Sequence, residues 1–80
     1  MTHSPDLSQR HPEIQRLHNY FAHEHLPTKL QAVSRHFGNL ADLLLMQLPD
    51  SPELTACLRK LLEAKDCAVR CALEIPDSED

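Results

Sequence analysis

Arg59, Glu63, Asp66 and Arg70 recur along the chain at steps of four, three and four. On an α-helix such steps bring the four side chains to one face. That face offers two chemistries. It can form a polar site. Alternatively, Arg59 with Glu63 and Asp66 with Arg70 close as local ion pairs, each worth about 0.2–0.5 kcal/mol to an isolated helix. Periodicity alone favours the ion pairs. Beside this face runs an apolar stripe of Leu54, Leu58, Leu61, Ala64, Ala68 and Cys71. It narrows from Leu to Ala, which suits close approach of another backbone.

Other residue types point to fewer chemistries. His18, His23 and His25 cluster near one loop, with His3, His11 and His36 elsewhere. A structural zinc site needs four well-spaced ligands, and this spacing matches no standard pattern. Solvated or hydrogen-bonded histidines are expected instead, with no metal and no cofactor. Cys57, Cys67 and Cys71 are odd in number, form no C-x-x-C pair and follow no secretory signal pattern. They are expected to be small, reduced, buried residues of a cytoplasmic protein. Ser34 and His36 lie close in sequence without an oxyanion-hole loop or glycine-rich turn, so no enzyme is expected.

Net charge is -4 with histidine neutral, and the aromatics are Tyr20, Phe21 and Phe37 alone. A cationic track for polymeric nucleic acid is therefore not expected. A membrane span is not expected either, because the longest apolar run covers only residues 43–46. A small nucleotide asks for less: one aromatic and two or three cations. Tyr20, His23, Lys29, Arg35, Arg59 and Lys60 can supply these across a subunit junction.

These side chains must be positioned by helices. Ile14, Leu17 and Phe21 predict a short helix over 12–22, opened by Pro12. Pro27 breaks it, and Thr28 is expected to cap a second helix. Leu30, Val33, Phe37, Leu40 and Leu44 carry that helix to about residue 48. Gly38 lies in its middle, where it permits close approach of a backbone or ligand, or is simply tolerated. Asp50 or Ser51 caps a third helix, with Pro52 and Glu53 in its first turn. That helix is expected from Pro52 to about Leu73 or Glu74. The fold expected is all-α: a short N-terminal helix, then a long antiparallel helical hairpin. Residues 1–11 and 75–80 are expected to be flexible, with one domain over 12–74. Leu43, Leu44, Leu45, Met46 and Leu48 make the end of the second helix apolar nearly all round. One partner helix cannot cover that, so a homodimer or higher assembly is expected.

The order of motifs along residues 14–73 also resembles a known family. It comprises Tyr20-Phe21-Ala22-His23, the Leu26-Pro27 break, Gln31, Leu40-Ala41, and the turn Pro49-Asp50-Ser51-Pro52-Glu53. After it come Ala56, Leu58, Lys60, Leu61, Glu63 and Ala64. In this the chain resembles the helical-hairpin proteins that phages use as cyclic-nucleotide sponges, the anti-CBASS and anti-Thoeris group. The resemblance implies an oligomer that binds a cyclic oligonucleotide or cyclic ADP-ribose-type signal between subunits and sequesters it without cleavage. It further implies that Tyr20, Phe21, His23 and Lys29 face the nucleotide. Arg59, Lys60 and Glu63 would then line a second site or the oligomer axis. The chain departs from the family where His23 is followed by Glu24 and His25 before Pro27. It departs again where Asp66, Cys67 and Arg70 stand in a region that often carries Asn.

Overall fold

A computed structural model describes residues 7–76. It contains α1 (Pro12–Asn19), α2 (Thr28–Gln47) and α3 (Pro52–Leu73), and no strand among the described residues. Both α1 and α2 pack against α3.

The ends of these helices follow from local chemistry. Ser51 caps α3, its hydroxyl accepting the Leu54 N–H at 3.0 Å, with Pro52 and Glu53 in the first turn. The His11 ring caps α1 in the same way, Nδ1 accepting the Glu13 N–H at 3.0 Å. Thr28 does not cap α2. Pro27 holds the cap position at φ -56° and ψ 152°, so Thr28 is already helical. Helix α1 also stops earlier than its apolar spacing predicts. Three successive bonds of i+3 type, from the N–H groups of Tyr20, Phe21 and Ala22, tighten the chain after Asn19. This turn carries Phe21 into the core and leaves Tyr20 outside.

The core comprises Ile14, Leu17, Phe21, Ala41, Leu45, Leu54 and Leu58, flanked by Leu7, Phe37, Leu61 and Leu62. Its line along α3 differs from the stripe expected. After Leu58 it passes through Leu62 towards Ala72, while Ala64 and Cys71 are exposed. All three cysteines are exposed, not buried. Inward positions two turns beyond Leu58 belong to Lys65, whose side chain is only 12% exposed.

Polar contacts fix the helix ends to one another. Arg10 donates Nε to Asp50 Oδ1 at 2.6 Å and its two terminal nitrogens to the carbonyls of Leu45 and Leu48 at 2.8 Å. The His11 N–H donates to Asp50 Oδ2, also at 2.6 Å. Arg10 and His11 are thus bonded to the main body and Leu7 packs against the core, within the segment expected to be flexible; residues 1–6 and 77–80 lie outside the described residues. His18 Nε2 meets Asp42 Oδ1 at 2.7 Å and joins α1 to α2. Beyond these, Lys29 Nζ donates to the Ile75 carbonyl at 3.0 Å, joining the start of α2 to the end of α3.

Two consequences are measurable. Leu58 is fully buried, so Leu58→Ala is expected to lower unfolding free energy by about 2–5 kcal/mol in a denaturant titration. The second concerns acid. The His11 N–H, followed by the Arg10 guanidinium, holds the Asp50 carboxyl below the ordinary aspartate range. A depressed folded-state pKa contributes stability above the ordinary range, and that contribution is lost as pH falls through the lower folded value. Asp50→Asn is thus expected to lower the melting temperature at neutral pH and to flatten its decline in acid. An acid limb as steep as that of the parent chain would contradict the assignment.

Candidate functional site: an aromatic and cationic groove

Tyr20 closes α1 with its side chain outward, and the residue is 51% exposed. The Arg16 guanidinium stands 6.0 Å from its ring centroid, at the outer limit of a cation–π contact. Arg16 is held in turn by Glu13, three residues earlier, whose carboxyl it keeps below the usual range. The Tyr20 carbonyl accepts a hydrogen bond from Lys65 Nζ at 2.8 Å, and the same ammonium lies 6.0 Å from the Phe21 ring centroid. Lys65 therefore clamps the end of α1 onto α3.

An open groove of about 350 Å³ extends from this clamp. Tyr20, Ala22, His25 and Leu26 form one wall; Lys65, Asp66, Val69 and Arg70 form the other. Asp66 is 3.6 Å from Lys65, and Arg70 donates to Cys67 Sγ at 3.4 Å. The ion pairs expected along the charged stripe are not formed among the described residues. Asp66 turns to its neighbour Lys65, and Arg70 turns to sulfur. Arg70 is thus an exposed guanidinium with no carboxylate on it, beside an exposed aromatic ring.

The residues expected at a nucleotide site are not gathered in one chain. Tyr20 is in the groove just described. Phe21 is only 3% exposed and belongs to the core, so its ring is not offered for stacking. His23 lines a smaller hollow of about 190 Å³ with His18, Asn39 and Asp42. Its Nδ1 is buried without a hydrogen-bond partner. This hollow also holds Glu24, whose carboxyl is kept low by its own backbone N–H and that of His23. With two carboxylates, the hollow is unsuited to phosphate. Lys29 donates to the Ile75 carbonyl at the far end of α3. Arg35 and Lys60 are exposed and line none of these hollows.

Arg59 lies elsewhere again. It shares a hollow of about 540 Å³ with His11, Glu13, Asp50 and Thr55, near the start of α1. Glu13 to Tyr20 is seven helical steps, so the two places are roughly 10 Å apart along α1. Lys65, Arg70 and His25 were not expected at a site. His25, in the loop before α2, carries no such signal; for Lys65 and Arg70 it lay in the line from Leu58 through Leu62 to Val69 and Ala72. That line puts Lys65 on the inward face of α3 and Arg70 on its border.

Gly38 makes no demand on the backbone, which is helical there. A Cβ at this position would meet the Phe21 carbonyl at 3.4 Å and His23 Cδ2 at 3.8 Å, both ordinary contacts. Gly38→Ala is therefore expected to keep the fold and stabilise it by about 0.5–1 kcal/mol through helix propensity. A loss of stability in thermal unfolding would mean that the Phe21 carbonyl cannot yield. Compared with protein-family models, curated proteins and solved structures, the chain matches none of them.

Proposed function

We propose that this protein is a non-enzymatic, self-assembling helical protein that binds a cyclic nucleotide or related nucleotide signal and sequesters it. In this reading α2 and α3 form an antiparallel hairpin, and copies meet along α2. The protein would act in the cytoplasm of a host cell against anti-phage signalling, as the resemblance implies. One observation carries the binding part: an exposed aromatic ring, Tyr20, shares a groove with Arg70, Lys65 and His25. Aromatic faces stack on bases of any identity, and a guanidinium forks a phosphate. The groove of one chain is shallow and open. A neighbouring copy would close it and bring further cations from among Lys29, Arg35, Arg59 and Lys60.

A second reading rests on another observation. Leu40, Leu43 and Met46 in the C-terminal half of α2, and Leu48 just beyond its end, are 41–63% exposed. Large apolar groups in such a row suit a helix–helix contact between copies. Assembly alone, without a small ligand, would make the protein a structural or regulatory module.

Calorimetry against cyclic di- and trinucleotides and cyclic ADP-ribose variants separates the two readings. Binding is expected to at least one of them. It should weaken at least tenfold in Tyr20→Ala and in Arg70→Glu while the assembled mass is unchanged. Leu43→Asp, at a position 52% exposed in one chain, should dissociate the assembly without unfolding the helices. No binding to any of these ligands by the assembled protein would leave the module reading alone.

A further inference from the structure

Cys67 and Cys71 stand one turn apart on α3, and both thiols are free and exposed. On a helix this spacing stacks two side chains on one face with Cβ atoms about 5–6 Å apart. A disulfide needs the Cβ atoms about 3.8 Å apart, so the pair cannot oxidise internally while α3 stays helical. A bridging atom changes that geometry. Two bonds of about 2.3 Å from one soft centre hold the sulfurs roughly 3.4 Å apart at a pyramidal centre and up to about 4.6 Å apart at a linear one. Rotation about χ1 brings two stacked thiols to such a separation without unwinding the helix.

We propose that Cys67 and Cys71 form a dithiol chelate for a soft, thiophilic metal or metalloid centre. The pair has one further feature. Arg70 already donates to Cys67 Sγ at 3.4 Å, so the sulfur has a fixed donor on one side and solvent on the other. Cys57 lies ten residues before Cys67 and has no thiol within one turn of the helix. It serves as an internal control. The chelate rests on Cys67 and Cys71 and needs no nucleotide, with Arg70 the one residue it shares with the groove.

Phenylarsine oxide is the direct probe. Each molecule takes two thiols, forming two As–S bonds and releasing its oxygen with both thiol protons as one water. Arsenic stays trivalent throughout, so no oxidant is required. In the full chain, free thiols are expected to fall from three to one on addition of one equivalent. Intact mass should show one phenylarsenic group on a single chain, and circular dichroism should stay helical. Cys57→Ser should bind equally well. Cys67→Ser and Cys71→Ser should each lose the adduct when washed with a monothiol. Three outcomes would overturn the proposal: no loss of thiols, an adduct retained in either single variant, or one arsenic joining two chains.

Discussion

Asp50 is met on one oxygen by the Arg10 guanidinium and on the other by the His11 N–H, each at 2.6 Å. Through these bonds the start of α1 is held against the connection between α2 and α3. Arg10 extends the same point into α2 by donating to the Leu45 and Leu48 carbonyls. Helix α2 has no basic residue in its own last turn. Arg10 therefore supplies the cation that a helix C-terminus favours, from a distant part of the chain. A small chain has little core to hold its elements in register, so such a clasp has a disproportionate effect on geometry.

The position of everything in α1 follows from that clasp. His18 on Asp42 holds its last turn, and Lys65 on the Tyr20 carbonyl holds the residue that closes it. These anchors, spread from Arg10 to Tyr20, bracket the short turn after Asn19. Phe21 enters the core and Tyr20 stays in water. The groove beside Tyr20 is thus set by contacts made elsewhere. The exposed apolar row on α2 occupies the half of that helix nearest the clasp, whereas the groove borders the last turns of α3. Copies that meet along the row would leave each groove free to be completed by a neighbour.

Much of the helical framework was legible in the amino-acid sequence, because its determinants are local. Pro52, Ser51 and Glu53 mark the start of α3 within three residues, and the boundaries at Gln47 and Leu73 lie within a residue of those expected. The clasp was not legible. Arg10 and Asp50 are forty residues apart, and nothing in either neighbourhood names the other. The inward face of α3 is hidden for a related reason. Small residues at 64, 68 and 71 suit one stripe, but the core turns towards Leu62 and Ala72, carrying Lys65 inward and leaving the thiols outside. Adjacent aromatics were indistinguishable by type, and a turn only three residues long decided which was buried. Of the residues expected at the site, Tyr20 sits in the groove, while Arg59 and Lys29 sit at separate places on the chain.

Amide chemical shifts of the isotopically labelled protein, recorded while cyclic oligonucleotides are added, test residue by residue whether the groove between Tyr20 and Arg70 receives a nucleotide. The expected result is saturable shifts at Tyr20, Ala22, His25, Val69 and Arg70, with Gln15 and Thr55 unmoved. Shifts confined to the neighbourhood of Arg59, or none with any cyclic nucleotide, would contradict it.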